Sequence, residues 1–253
     1  MIKLKPLTYT AAVLLITFFM ITLKTDAGPG TVLLEDFSSY KNHPFSEWKS
    51  REDISYAHKI YSIKNEAGTT FLRATTENTL KSIQLGKLVN EYKIMGKNKI
   101  SWDIKQYPVI KWDWRIHAIP SGGNEKIKSR NDSAAAIYVV FPKNIIPFLS
   151  WQYQPANWIK YVWSSTLPVG TVVSREFSRF GLNLYKGRYV VVASGEKDLK
   201  KWLTFKRNVK EDYKRFFGEE PKYNPIVIGI LTDANNTKSQ AAADYGNIRA
   251  SRD

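Results

Sequence analysis

Along this chain apolar and polar positions alternate in short runs, and they almost never recur at helical spacing. Residues 108–116 show it best. Ile110, Trp112, Trp114 and Ile116 fall on one side, Lys111, Asp113 and Arg115 on the other. A period of two sends successive side chains to opposite faces of a strand. The indoles are therefore expected in a core, and the charged row on a wet face or the floor of a groove. Residues 61–64 and 70–75 alternate around Asn65-Glu66-Ala67-Gly68, a hairpin pattern. Further strands are read at 31–37, 80–89, 133–141, 159–164, 187–194, 202–207 and 244–250.

One run differs. From Pro225 to Leu231 the residues are continuously apolar, and the run stops in Thr232-Asp233-Ala234-Asn235-Asn236-Thr237. That is a buried central strand ending in a polar loop, where a rigid scaffold can present ligand-binding groups. Helical spacing appears once. Val209, Tyr213, Phe216 and Phe217 share a face, Asn208 is the N-cap, Glu211 and Asp212 suit the first turn, and Gly218 ends the helix.

Many alternating runs and a single helix predict an all-β fold: an antiparallel, jelly-roll-like β-sandwich with one short helix near residues 208–217. Between the strands, 120–132 reads as a Lys-rich, mobile loop. Residues 151–158 read as an aromatic-rich loop, of the kind that stacks on sugar rings or forms satellite core. Ala134, Ala135 and Ala136 leave room either for bulky neighbours or for a groove.

Composition adds a compartment. Lys3 and Lys5 precede an apolar stretch at 7–23, followed by Thr25-Asp26-Ala27. Residues 1–27 are expected to be a signal peptide, or an uncleaved anchor that is the chain's sole membrane contact. Residues 28–253 are then one β-sandwich domain, periplasmic or secreted. The absence of cysteine excludes disulfides and thiolate chemistry, and His43, His58 and His117 lack metal-ligand spacing. The net charge of +15 over 253 residues is spread through loops and strand faces. With no nucleic-acid-binding motif, it fits a solvated surface, or an anionic glycan or cell-envelope partner, rather than nucleic acid.

Several short segments occur in a characteristic order: Trp112-Asp113-Trp114-Arg115, Asp132-Ser133-Ala134-Ala135, Tyr161-Val162-Trp163-Ser164, Arg207-Asn208-Val209-Lys210-Glu211-Asp212-Tyr213, Thr232-Asp233-Ala234-Asn235-Asn236-Thr237 and Ala243-Asp244-Tyr245-Gly246-Asn247-Ile248. From about Val32 onward the chain resembles the bacterial family known as domain of unknown function 3047. The resemblance implies an exported β protein and brings no catalytic residues with it. The order of elements also resembles carbohydrate-binding sandwiches at the level of fold, which says little about function.

Two functions stay open. One is binding of a glycan or cell-envelope polymer, without catalysis, at one sheet face. The ligand-binding residues expected there are Asp113, Arg115, Asp132, Trp163, Asp233 and Asn236. The other is a glycan-active hydrolase or lyase using Asp113, Asp132 and Asp233 with Arg115, because a glycosidase needs two carboxyl groups flanking the scissile bond. Clustering of those carboxylates around one groove favours catalysis, and dispersal favours binding. Asp233 and Asn236 are expected near Asp132 or Arg115, since all four sit at or beside strand ends. Asp233, Asn235 and Asn236 also have oxygen ligands suited to calcium, without the regular spacing of an EF-hand. No other metal or cofactor is expected.

Overall fold

The computed structural model describes residues 30–40, 45–50, 52–77, 82–90, 101–147, 149, 153–179 and 182–253. The N-terminal segment expected to be a signal, and Trp151 of the aromatic-rich run, lie outside the described residues. Among the described residues thirteen strands and one α-helix follow in chain order: β1 (Thr31–Glu35), β2 (Trp48–Lys49), β3 (Tyr61–Glu66), β4 (Thr69–Glu77), β5 (Leu85–Leu88), β6 (Val109–Ala118), β7 (Ala135–Pro142), β8 (Ala156–Ser164), β9 (Val172–Arg179), β10 (Leu182–Ser194), β11 (Trp202–Asn208), α1 (Val209–Phe217), β12 (Val227–Leu231) and β13 (Gln240–Ser251).

These strands form two sheets. The six-stranded sheet runs β11-β6-β13-β4-β3, with β1 also paired to β13; the seven-stranded sheet runs β2-β5-β12-β7-β8-β10-β9. The expected sandwich is therefore present, with one correction to its antiparallel character. Strand β10 pairs with β8 in parallel, while β9 and β10 pair antiparallel. The chain leaves β8, passes to the sheet edge as β9 and turns back as β10 into the place beside β8.

The core lies between the sheets and follows the alternation. Trp112 and Trp114 point inward from β6, where Trp112 stacks on Tyr161 with ring centroids 5.3 Å apart. Trp163 also points inward, 1% exposed, its Nε1 donating to Gly195 O at 3.0 Å. Ala134, Ala135 and Ala136 are fully buried, in agreement with the close-packing alternative. Tyr245 of β13 bridges the layers: its hydroxyl donates to Leu231 O at 2.7 Å and lies 2.8 Å from Thr232 Oγ1. This contact holds the end of β12, where the polar loop begins.

The helix lies where the sequence puts it. The Asn208 side chain accepts from Glu211 N at 3.0 Å, and Gly218 closes the helix at φ +80°, a conformation costly for residues with a Cβ. The loop expected to be mobile is tied down instead. Glu125 is fully buried and accepts from Ser133 Oγ at 2.8 Å and Ser164 Oγ at 2.6 Å. Two serine hydroxyls thus replace the water that its carboxylate loses. Among the described residues no helix is long and apolar enough to cross a membrane.

Candidate functional site

Each sheet presents an outer face, and cross-strand register decides what gathers there. On the six-stranded sheet, Asp244 of β13 sits directly between Arg73 of β4 and Arg115 of β6. Opposite charges on facing strands attract. Arg73 donates to both carboxylate oxygens of Asp244, at 2.7 and 2.9 Å; Arg115 donates to Oδ2 at 2.7 Å, and His117 Nε2 lies 2.7 Å from the same oxygen. Glu66 closes the network with Arg115 at 2.7 Å. Burial alone pushes Asp244 up, but the hydrogen bonds from Arg73, His117 and Arg115 outweigh it and hold its pKa below the usual aspartate value. Asp113 accepts from Thr204 Oγ1 at 2.6 Å on the same face.

The seven-stranded sheet carries the inverse arrangement. Lys160 of β8 sits directly between Tyr138 of β7 and Tyr189 of β10. It is 1% exposed, and its Nζ stands 5.2 Å from the Tyr138 ring centroid and 4.6 Å from that of Tyr189. Two residues earlier Trp158, half-buried, lies over Gly187 of β10, where a Cβ would fall inside the indole. Glycine at this position lets the ring lie flat on the sheet. Its centroid is 5.9 Å from Tyr138 and 5.4 Å from Tyr189. Arg175 of β9 adds a guanidinium 5.4 Å from the Tyr189 ring and donates to Glu125 O. Burial disfavours the Lys160 ammonium, but Tyr138, Tyr189 and Asp233 more than compensate, and its pKa is held above the ordinary lysine value.

Asp233 borders this face at the end of β12. Burial first, and the nearby Asp132 carboxylate second, push its pKa up to about 6. Asp132 is fully buried and accepts from Asn236 N at 3.2 Å, Thr237 N at 2.6 Å and Thr237 Oγ1 at 2.6 Å. Asn131 adds an amide whose Nδ2 is 3.5 Å from the Tyr189 hydroxyl, and whose Oδ1 has no hydrogen-bond partner among the described residues.

The residues expected at one site are therefore divided. Asp132, Asp233 and Asn236 come together, Asp113 and Arg115 lie on the other sheet's outer face, and Trp163 faces the core. The expected neighbourhood of Asp233 and Asn236 holds for Asp132 and not for Arg115. Asn235 Nδ2 lies 3.4 Å from Ser82 Oγ and Asn236 Nδ2 donates to Lys128 O at 3.2 Å, so both amides fasten the loop. No group of three or more His, Cys, Asp or Glu suited to a metal ion occurs among the described residues. Sequence reasoning missed Lys160 and Tyr189, placed Trp158 in a loop suited to sugar stacking rather than on a strand, and did not set Tyr138 beside them. Their signal was a lone lysine among bulky apolar residues on an interior strand.

A family model described as a protein of unknown function (DUF3047) matches residues 46–249. A search of curated proteins finds no match. Among solved structures the chain is similar to endoglucanase 3 of Trichoderma harzianum from family GH12, with 7% identity and a TM-score of 0.39 over 81% of this chain and 90% of that one. It is similar to a mutant of ENZbleach xylanase, with 12% identity and a TM-score of 0.42 over 89% and 86%. A third is the family 11 xylanase of Neocallimastix patriciarum, with 9% identity and a TM-score of 0.35 over 75% and 82%. No residue role is transferred from these structures. The chain belongs to the DUF3047 family.

Proposed function

We propose that this member of the DUF3047 family binds a glycan on the outer face of its seven-stranded sheet and does not cleave it. The observation that carries the reading is the Tyr138–Lys160–Tyr189 rung with Trp158 beside it. Aromatic faces take the apolar side of a sugar ring, while an ammonium beneath the rings and a carboxyl and an amide beside them give the face its polar character. Lys160, Asp233 and Asn131 are those groups, and Trp158 is the most open of the three rings. The apolar N-terminal stretch supports a site of action outside the cytoplasm, on an envelope or secreted polymer.

A second reading, a hydrolase or lyase, draws on Asp233. A carboxyl held near pH 6 suits a general acid. It would need a second carboxylate across the substrate. Asp132 is committed to the backbone and hydroxyl of its own loop, and Asp113 is on the other sheet. That dispersal supports binding. The test is a glycan array probed with the exported domain, with and without calcium, followed by reducing-end measurement on each captured glycan. Capture without new reducing ends agrees with the proposal. New reducing ends that disappear in Asp233→Asn establish catalysis instead, and capture of nothing leaves the binding reading without support.

A further inference from the structure

Where β7 ends and β8 begins, α1 stands over the strands and leaves a cleft of about 330 Å³. Four cations line it. Lys143 follows β7, Lys186 and Arg188 lie on β10, and Lys222 follows the helix; Glu219 is the acid in the lining. Arg188 rests 5.2 Å from the ring centroid of Phe217 and 3.8 Å from Glu176. Burial and the neighbouring Lys186 push the Lys143 ammonium down, and Glu176 and Glu219 do not offset them. Four cations thus share this lining with the single acid Glu219.

The floor supplies a separate observation. Asn157 lines the cleft and is 3% exposed. Its Nδ2 donates to the Tyr213 hydroxyl at 2.8 Å, and its Oδ1 has no hydrogen-bond partner among the described residues. The two arms of an amide are assigned from their hydrogen bonds. With the amide turned over, the Tyr213 hydroxyl donates to the oxygen and the NH₂ is left in need of an acceptor. A cluster of ammonium and guanidinium groups, over a buried amide that in the turned orientation offers a donor, is the chemistry of anion recognition.

We propose that this cleft binds an oxyanion, the carboxylate or phosphate group of a small molecule or polymer. It is separate from the aromatic face. Arg188 presents a planar fork suited to two oxygens, and the lysines act as point charges around it. Such a site gives part of the net charge of +15 a specific use.

The test is calorimetric titration of the whole chain with sodium pyrophosphate and, separately, with trigalacturonate at low ionic strength. At least one of them is expected to bind with one-to-one stoichiometry, and which one binds separates phosphate from carboxylate. The double variant Lys143→Glu, Lys222→Glu is expected to weaken that binding about tenfold or more. Lys64→Glu, Lys197→Glu changes net charge equally on exposed positions outside the cleft, and is expected to bind as wild type does. Trp158→Ala is also expected to leave anion binding intact, which keeps this result distinct from that of the glycan face. Should the cleft double variant not fold, Lys222→Glu alone, at an exposed position, carries the test. Binding of neither anion, or equal losses in both double variants, overturns the proposal.

Discussion

The two outer faces are built on one plan and end in opposite chemistry. On the six-stranded sheet a central carboxylate, Asp244, is flanked by two guanidinium groups; on the seven-stranded sheet a central ammonium, Lys160, is flanked by two phenols. The first rung is closed, because Asp244 receives Arg73, Arg115 and His117, and Glu66 takes up remaining arginine charge. The second has no fully ionised partner: its buried ammonium meets two rings, a hydrogen bond to Tyr138 and a carboxyl whose ionisation is disfavoured. A closed ion network holds strands together. A buried ammonium in an aromatic setting, beside a carboxyl with a perturbed pKa, is a candidate place for a ligand.

The sharpest way to break this contrast is to make the same substitution on both faces. Asp244→Asn removes the charge that Arg73, Arg115 and His117 surround, and is expected to destabilise the fold by about 3 to 4 kcal/mol in urea unfolding. Asp233→Asn removes a buried carboxylate that neutral pH forces to ionise, and is expected to stabilise the fold at pH 7 by about 2 to 3 kcal/mol. The pH profiles differ too. Asp244 has a depressed folded pKa, so its contribution is full above the ordinary aspartate range and is lost as pH falls through the folded value. Asp233 has a raised one, so stability falls as pH rises from the ordinary 3.8 to about 6 and is level above that. Flattening of that second slope in Asp233→Asn checks the assignment.

Smaller effects sharpen the comparison. Gly187→Ala drives a methyl into the Trp158 ring and is expected to cost about 1 to 2 kcal/mol, together with a loss of glycan binding. Asn208→Ala removes the helix cap at a distance from both faces and is expected to cost about 1 kcal/mol with binding unchanged. Equal loss of binding in both variants would mean that binding follows global stability rather than the shape of the face.

The sequence was legible where the two sides of a strand differ in kind. Residues 108–116 separate indoles from charges so cleanly that the faces of β6 could be read directly. The capped helix and the polar loop at 232–237 were equally plain. Strand β8 was not, because both of its sides are bulky. Trp158, Lys160 and Val162 face outward while Ile159, Tyr161 and Trp163 face inward, and only the lysine marks the parity. Starting that strand at Ile159 left Trp158 in a loop, and nothing in the run showed that Trp163, expected at the ligand, faces the core. Strand β9, with Val172, Phe177 and several polar residues at the sheet edge, has too little apolar contrast to stand out. The Arg73–Asp244–Arg115 rung depends on register between distant strands, which no local pattern encodes.

The most direct measurement compares two tryptophans. Trp158 lies on the face assigned to the ligand; Trp202, 39% exposed, lies on the other face, 4.8 Å from the Arg115 guanidinium. A glycan identified on the array is titrated calorimetrically into the wild type, Trp158→Ala and Trp202→Ala. The account predicts that affinity falls about tenfold or more in Trp158→Ala and is unchanged in Trp202→Ala. Retained affinity in Trp158→Ala with loss in Trp202→Ala would contradict it and move the binding face to the other sheet.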